Sequence, residues 1–152
     1  MVSFRIAEAA DHDRIAALVD AAYASWVPVL GGRKPRPMLD DHAARIDRGE
    51  NVLVEDDGRL LGVVAMVPEA AGLHLFSIAV HPEAQGKGLL HAILAEADRR
   101  ARTAGLGRLT LYTNVLMEKN RAIYRHLGFF EVSIEQAAGY SIVYMERPVA
   151  AV

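Results

Sequence analysis

Residues 78–90 constrain this chain more than any other part of its sequence. They read Ile-Ala-Val-His-Pro-Glu-Ala-Gln-Gly-Lys-Gly-Leu-Leu, a strand pattern that enters a glycine-containing turn and then the longest helix pattern. Such a unit leaves backbone N–H groups free at a helix N-terminus, where the helix dipole favours an anion. Gly86 and Gly88 allow close approach to the backbone, and Lys87 adds a positive charge. The sequence therefore predicts a pyrophosphate site at this turn.

Hydrophobic periodicity predicts one mixed α/β domain over residues 1–152, with no linker or repeat dividing it. The Asp56-Asp57-Gly58 segment between two apolar runs is a strong hairpin signal. The predicted order is β-α-α-β-β-β-α-β-α-β-β. The strands are 2–7, 51–55, 59–67, 73–80, 109–113, 129–134 and 140–146; the helices are 38–48, 89–104, about 117–126 and one that Asp11 caps and Pro28 ends.

Composition excludes several chemistries. The chain has no cysteine, which rules out a thiol nucleophile, a thiolate metal site and a disulfide framework. The net charge of −2 gives no global case for binding nucleic acid or an acidic membrane, and no histidine pair has convincing metal-ligand spacing. The longest apolar stretch, residues 60–67, is far below the ~20 residues of a membrane span. Without a signal-peptide pattern at the start, we expect a soluble, cytoplasmic protein that binds no metal, nucleic acid or membrane.

Two common phosphate-binding motifs do not match the glycine turn. The chain contains no Gly-x-x-x-x-Gly-Lys-Ser/Thr, and Gly-x-Gly-x-x-Gly fails because Ala84 and His91 stand where glycines are needed. The ligand is therefore expected to be neither a nucleoside triphosphate nor a dinucleotide. A nucleotide-binding regulator that uses the turn stays open as an alternative.

Two motifs resemble those of the GNAT superfamily of acyl-CoA-dependent N-acetyltransferases. The first is Ala-Val-His-Pro (79–82) followed by Gln-Gly-Lys-Gly (85–88); it is similar to the signature Gln/Arg-x-x-Gly-x-Gly/Ala and has Leu90 at the last position. The second is Asn-Arg-Ala-Ile-Tyr-Arg-His-Leu-Gly-Phe (120–129), which resembles a helix ending in Tyr-x-x-x-Gly-Phe. The resemblance covers essentially the whole chain. It implies a central mixed, mostly antiparallel sheet with about seven strands and four helices.

The resemblance also implies an activity and its residues. The activity is transfer of an acetyl group from acetyl-CoA, as co-substrate, to a primary amine of a small molecule, amino acid or peptide by direct attack in a ternary complex. Tyr124 would act as general acid for the departing thiolate, although a core aromatic role stays open. The backbone at Ile78, Ala79 and Val80 would supply the oxyanion donor. The implied cofactor-binding residues are Ile78, Ala79, Val80, Gln85, Gly86, Lys87, Gly88, Leu89, Leu90, Asn114, Asn120 and Tyr124.

The base and the acceptor pocket depend on weaker signals. His74 resembles one of the two histidines of the arylalkylamine acetyltransferases, and Phe76 stands at the position of the second. Glu69 and Glu83 are further candidates for the base. A purely structural role for His74 stays open. The loop around Arg33 and Arg36 either attracts an anionic acceptor or is merely solvated. The predicted acceptor pocket consists of Tyr23, Trp26, Val29, Met38, Leu39 and Phe76.

A second functional class stays open beside the enzyme. Leu90 and Met117 depart from the two motifs, so a non-catalytic coenzyme A-binding sensor or partner module on the same fold is the main alternative. Exposed strands are compatible with a homodimer, although no residue specifies one. The identity of the acceptor does not follow from the sequence.

Overall fold

Seven strands and four helices follow one another in the predicted order in the computed structural model, which describes residues 1–151. The strands are β1 (Ser3–Ile6), β2 (Asn51–Asp56), β3 (Arg59–Glu69), β4 (Gly72–Val80), β5 (Arg108–Asn114), β6 (Phe130–Ala137) and β7 (Tyr140–Pro148). The helices are α1 (His12–Tyr23), α2 (His42–Asp47), α3 (Leu89–Thr103) and α4 (Glu118–His126). Within residues 1–151, no helix combines the length and the apolar character needed to cross a membrane.

The strands form one sheet in the order β1-β2-β3-β4-β5-β7-β6. Every neighbouring pair is antiparallel except β4 and β5, which run parallel. The predicted fold class, a mixed and mostly antiparallel sheet with seven strands and four helices, is therefore confirmed.

Helices cover both faces of the sheet. Successive side chains of a strand point to opposite faces, so each strand contributes to two cores. Val52 and Val54 of β2 belong to a buried cluster with α3 and α4, whereas Leu53 between them belongs to a second cluster with α1 and α2. The apolar spacing of the two long helices matches this arrangement: Ile15 of α1 and Ile93 of α3 are fully buried. The sheet is thereby fixed between two layers.

Strands β4 and β5 separate soon after they meet. Their pairing covers only Leu73–Leu75 against Leu109–Leu111, after which β4 continues against β3 alone and β5 against β7 alone. The β3–β4 register shifts at this point, and Phe76 is the extra residue on β4. Such a bulge bends a strand and increases its twist. The two strands therefore open a gap between their carboxyl ends, and this gap positions the candidate site.

Three local predictions at the helix termini are wrong, and one of them is the end of the first helix, which lies at Tyr23 and not at Pro28. The predicted helix 38–48 is a short 3₁₀ turn, Arg36–Leu39, followed by α2, because Asp40 is extended and the Asp41 carboxylate accepts from the backbone N–H of Ala44 (3.0 Å), which starts a new helix. Asp11 does not cap α1 with its side chain. Its carboxylate instead accepts two hydrogen bonds of 2.9 Å from Arg5, which tie the start of α1 to β1.

Strand β6 forms one edge of the sheet. Its apolar side chains Phe130, Val132 and Ile134 are 50%, 51% and 60% exposed. A register shift against β7 at Val132 breaks the regular edge. The homodimer stays a prediction, as does the cytoplasmic location.

Candidate active site

The glycine turn between β4 and α3 presents free backbone donors. Gly86 and Gly88 have left-handed φ angles of 76° and 81°, and a Cβ added at either would meet no atom within 4 Å. Within residues 1–151, the N–H groups of Gly86, Lys87 and Gly88 donate to no backbone carbonyl, and no side chain caps α3. The first turn of an α-helix adds further unpaired N–H groups. The turn is therefore an open cradle of donors at the positive end of a helix 15 residues long.

The separated part of β4 presents a strand edge to the same opening. The carbonyl of Ile78 accepts from the Tyr23 hydroxyl (3.0 Å), and the carbonyl of Val80 accepts from the Gln85 side chain (3.0 Å). Because the N–H and C=O of one strand residue point to the same edge, the N–H groups of Ile78 and Val80 also face this opening. An extended ligand pairs with an edge of this kind as an added strand would.

Two cavities lie on either side of this opening. The turn cavity, about 660 Å³, extends from the glycine turn to α4 and includes Gln85, Gly88 and Lys119 in its lining. The sheet cavity, about 370 Å³, occupies the gap between β4 and β5 and includes His74 and Tyr112. Four residues line both cavities: Tyr23, Ile78, Asn120 and Tyr124. The two cavities therefore meet at this group of four residues.

Tyr124 has the chemistry of a free proton donor at this junction. Its side chain is buried, its ring packs edge-on against Phe129 (5.8 Å between centroids), and its hydroxyl makes no hydrogen bond within residues 1–151. Burial, with a smaller contribution from neighbouring Tyr23, raises the pKa of Tyr124 well above its usual value of 10. Burial also raises the pKa of Tyr23, to about 12, but the Tyr23 hydroxyl already donates to Ile78. At neutral pH, the Tyr124 hydroxyl is therefore protonated, and within residues 1–151 it has no hydrogen-bond partner.

His74 lines the sheet cavity as a neutral side chain. It is 2% exposed, and Nδ1 shares a 2.7 Å hydrogen bond with the Thr110 hydroxyl. Burial, together with the charge of Arg45, lowers the pKa of His74 to about 4. Within residues 1–151, Nε2 is buried without a hydrogen-bond partner. The side chain therefore has one buried nitrogen without a partner and stays uncharged at neutral pH.

Acidification is expected to destabilise the protein through His74. A histidine whose folded pKa is lowered contributes stability that is complete above its unfolded pKa and is lost as the pH falls through the folded pKa. The pKa of His74 falls from its ordinary value of 6.5 to about 4 in the folded protein. The loss of unfolding free energy therefore occurs between these two pH values and reaches roughly 3 kcal/mol. Urea unfolding at several pH values in this interval measures it.

The matched variant for this prediction is His74→Asn, whose amide can keep a hydrogen bond to Thr110 but does not titrate. The variant is expected to lose less unfolding free energy between the two ends of the interval. The other histidines, including His42, whose pKa burial also lowers, contribute equally to both proteins. An identical pH dependence in the two proteins would contradict a buried neutral His74.

Charges around the sheet cavity are largely paired. The Arg45 guanidinium binds Asp40 and, at 2.9 Å, Glu50, and it lies 4.3 Å from the centre of the Phe76 ring. Arg36 also lines the cavity, but within residues 1–151 it forms no ion pair or hydrogen bond. The uncompensated formal charge in the cavity lining is therefore positive.

One wall of the sheet cavity is a loop fastened to a distant hairpin. Arg33 donates to the carbonyl of Gly139 (2.9 Å), and its guanidinium lies 3.9 Å from the centre of the Tyr140 ring. The Tyr140 hydroxyl donates to the backbone carbonyl of Lys34 (2.7 Å). These contacts hold the segment after α1 against the β6–β7 turn. They also place Pro35 and Arg36 in the cavity lining.

Most of the predicted cofactor residues do meet around the turn cavity. Those in its lining are Ile78, Val80, Gln85, Gly86, Gly88, Leu89, Leu90, Asn120 and Tyr124. Ala79 is fully buried and lines neither cavity, because its side chain points into the core. Lys87 lies in a separate surface depression that includes Glu83. Asn114 lines the sheet cavity instead, and its Oδ1 accepts from the N–H of Leu116 (2.9 Å).

The predicted acceptor residues divide differently. Tyr23, Leu39 and Phe76 line the sheet cavity. Trp26 lines the turn cavity instead, together with Ala22 and Tyr23. Val29 is 46% exposed and lines neither cavity, and Met38 packs against the α1 core cluster.

Sequence reasoning missed several residues of the sheet cavity, among them Ser77, Arg45, Tyr112 and Tyr140. Tyr112 had a local signal, since it alternates with the buried Leu111 on β5. The others follow from contacts that only the folded chain makes. Residues 1–151 contain no group of three or more His, Asp or Glu side chains arranged to hold a metal ion.

Comparison with known proteins establishes the family. Residues 15–129 match the model of the acetyltransferase (GNAT) family, so this chain belongs to that family. It is 36% identical over 90 residues to a mycothiol acetyltransferase from Beutenbergia cavernae, an alignment that covers 57% of this chain. The chain spans only 30% of the length of that relative.

Solved structures show the same fold. The ribosomal-protein-S18-alanine N-acetyltransferase from Escherichia coli matches with a TM-score of 0.75 at 20% identity, over 100% of this chain and 96% of that one. The PaiA N-acetyltransferase from Thermoplasma acidophilum, solved in complex with coenzyme A, matches with a TM-score of 0.76 at 16% identity, over 97% and 99% of the two chains. At sequence identities of 16–20%, the structural similarity shows only that the fold is shared.

Proposed function

We propose that this protein transfers an acetyl group from acetyl-coenzyme A to a primary amine in one step, where the turn cavity and the sheet cavity meet. The observation that carries the proposal is the shared lining of the two cavities, in which Tyr124 has an uncommitted hydroxyl. Two substrates can react directly when the cavities that hold them meet at the same lining residues. The absence of cysteine excludes a cysteinyl intermediate and is consistent with direct attack.

The residues at the turn fit coenzyme A. Gly86 and Gly88 leave the open, left-handed cradle that a pyrophosphate needs, and the N–H groups around them are unpaired. The exposed edge of β4 at Ile78 and Val80 suits the amide groups of a pantetheine arm. When bound, acetyl-coenzyme A supplies the thioester that is attacked and the sulfur that departs. Family membership is consistent with this co-substrate.

Each reacting atom then has a protein group assigned to it. The amine nitrogen forms a bond to the acetyl carbon, the carbon–sulfur bond breaks, and one amine proton replaces the acetyl group on sulfur. The N–H of Ile78, which faces the shared wall, is proposed to stabilise the developing negative charge on the acetyl oxygen. Tyr124 is proposed to donate a proton toward the sulfur. Asn120 lies beside both groups and is proposed to bind the co-substrate.

His74 is proposed as the base that faces the acceptor, but its lowered pKa limits which proton it can remove. A group with a pKa of about 4 does not remove a proton from an alkylammonium ion, whose pKa is near ~10.4. The acceptor therefore has to react as the free amine. After the attack, the nitrogen becomes much more acidic, and His74, whose Nε2 has no hydrogen-bond partner, is proposed to accept the proton that the nitrogen loses.

Thiol release tests the proposed function directly. The purified protein is mixed with acetyl-coenzyme A and a panel of primary amines, and free coenzyme A is measured with a thiol reagent. Because the protein has no cysteine, the reagent reports only the released coenzyme. We expect amine-dependent release and an acetylated amine of matching amount by mass spectrometry.

Two other outcomes favour the alternatives. Stabilisation of the fold by acetyl-coenzyme A without transfer to any amine would contradict the enzyme and favour a coenzyme A-binding sensor. Stabilisation by ATP or NAD, but not by acetyl-coenzyme A, would favour a nucleotide-binding regulator. A thermal-shift comparison of the three ligands separates these cases, because a ligand that binds only the folded state raises the melting temperature.

A further inference from the structure

The charged side chains around the sheet cavity differ in whether they are already paired or are free to bind a ligand. Asp40 is bound to Arg45, and Glu50 is bound to both Arg45 and Arg48, so the two carboxylates and the two guanidinium groups compensate one another. Glu69 and Glu135 approach His74 and Tyr112 but do not belong to the cavity lining. Arg36 differs from all of them because, within residues 1–151, no carboxylate pairs with it.

The backbone around Arg36 is held by its surroundings, and the side chain itself is exposed. It begins the 3₁₀ turn Arg36–Leu39 between two prolines, which restrict the backbone. The preceding residues are fastened to the β6–β7 turn by Arg33 and by the Tyr140–Lys34 hydrogen bond. The loop therefore delivers Arg36 to the sheet cavity with less conformational freedom than an unattached surface loop would have.

We infer that the acceptor amine carries a carboxylate, and that Arg36 binds this carboxylate in the sheet cavity. The inference rests on the proposed function, because the sheet cavity is taken as the acceptor site. A guanidinium binds a planar carboxylate through two parallel hydrogen bonds, and a site with one uncompensated positive charge favours an anionic partner. Arg36 is therefore a specificity-determining residue and has no part in the bond-forming step.

The same charge distribution disfavours polyamines. A polyamine keeps further ammonium groups after one nitrogen has lost its proton, and these groups need carboxylates. The cavity lining contains one acidic residue, Asp40, which Arg45 already engages. Amino acids and other small amino carboxylates fit this lining better.

The test compares acceptors that differ only in one charge. The probes are unbranched amino carboxylates of increasing length, from glycine to 6-aminohexanoate, each beside its carboxamide. Rates of thiol release are measured with the wild type, Arg36→Ala, Arg36→Lys and Lys34→Ala. Because each variant is compared with the wild type on the same acceptor, differences in amine pKa between the acceptors cancel.

We expect Arg36→Ala to raise KM for the preferred carboxylate about 10- to 100-fold, the size of one charge-assisted interaction, with little change in kcat. Arg36→Lys restores part of the affinity. KM for the matching carboxamide stays unchanged. Lys34→Ala removes the same charge from the same loop, but its side chain does not line the cavity, so both acceptors behave as with the wild type.

A binding measurement distinguishes failure of this inference from failure of the proposed function. The N-acetylated carboxylate and its amide are titrated by calorimetry into protein saturated with coenzyme A. Selective loss of carboxylate binding in Arg36→Ala supports the inference even without turnover, in which case the proposed function fails alone. Equal losses for carboxylate and carboxamide, equal effects of Arg36→Ala and Lys34→Ala, or faster turnover of carboxamides than of every carboxylate would overturn it.

Discussion

Tyr124→Phe is expected to lower kcat about 100-fold, the lower end of the usual contribution of a general acid. The substitution removes only the hydroxyl oxygen, while the ring keeps its edge-on contact with Phe129. Since the hydroxyl makes no hydrogen bond within residues 1–151, its removal leaves no polar group unpaired. KM for acetyl-coenzyme A and the melting temperature are therefore expected to stay near their wild-type values. Steady-state kinetics with a good acceptor provide the measurement.

Tyr144→Phe is the matched control for this prediction. Tyr144 lies on β7 and is partly exposed, and it is not among the residues that line either cavity. Its ring packs on Tyr112 and its hydroxyl forms a hydrogen bond with Thr110, the partner of His74, but neither contact involves Tyr124. Tyr144→Phe is therefore expected to lower kcat far less than Tyr124→Phe does. A wild-type kcat for Tyr124→Phe would remove Tyr124 from the proposed mechanism. A similar loss in both variants would point to a general effect on the fold.

Gly88→Ala is expected to raise KM for acetyl-coenzyme A about 10- to 100-fold, because one charge-assisted hydrogen bond to the pyrophosphate is lost or lengthened. Gly88 has a φ of 81°, and a Cβ there projects into open space next to the free donors of the turn. The added methyl group therefore meets the ligand rather than the protein. Initial rates over a range of acetyl-coenzyme A concentrations measure the effect.

The same helix offers a closely matched control. Gly105 follows α3, has a φ of 73°, and likewise has no atom within 4 Å of an added Cβ. Gly105→Ala therefore carries the same backbone penalty, about 1–2 kcal/mol for a left-handed residue, at a site remote from the turn. It is expected to lower stability as much as Gly88→Ala and to leave KM unchanged. Equal KM values in the two variants would contradict a pyrophosphate site at the turn.

Local patterns predicted the parts of the candidate site that one segment of chain builds. The glycine turn needs only residues 85–90, since a strand, two glycines and a helix start follow one another directly. Tyr124 and Phe129 likewise come from one short helix and its end, and the structure brings Tyr124 to the wall shared by the two cavities. The fold class also followed from the order of the elements, because hydrophobic periodicity is a local property.

Part of the sheet cavity, the proposed acceptor site, was not predicted because distant segments build it. Arg33 contacts Gly139, and Tyr140 contacts Lys34, across more than 100 residues of sequence. No periodicity encodes such a contact. Trp26 continues the apolar spacing of α1, but it lies beyond the end of that helix and lines the turn cavity.

The bulge on β4 is a further feature without a clear local signal. Phe76 follows the buried residues Gly72–Leu75 and is 39% exposed, and the extra residue it represents shifts the register against β3. A single-residue shift reverses the faces of all side chains beyond it. The separation of β4 from β5, on which both cavities depend, therefore became visible only in the folded chain.

The rate pattern with two varied substrates tests one-step transfer most directly. Initial rates are measured over a grid of acetyl-coenzyme A and amine concentrations and drawn as double-reciprocal plots. Attack within a ternary complex predicts lines that intersect, because both cavities are filled before any bond breaks. Parallel lines would instead show that an acetylated protein forms before the amine binds, and would contradict direct transfer between the two cavities.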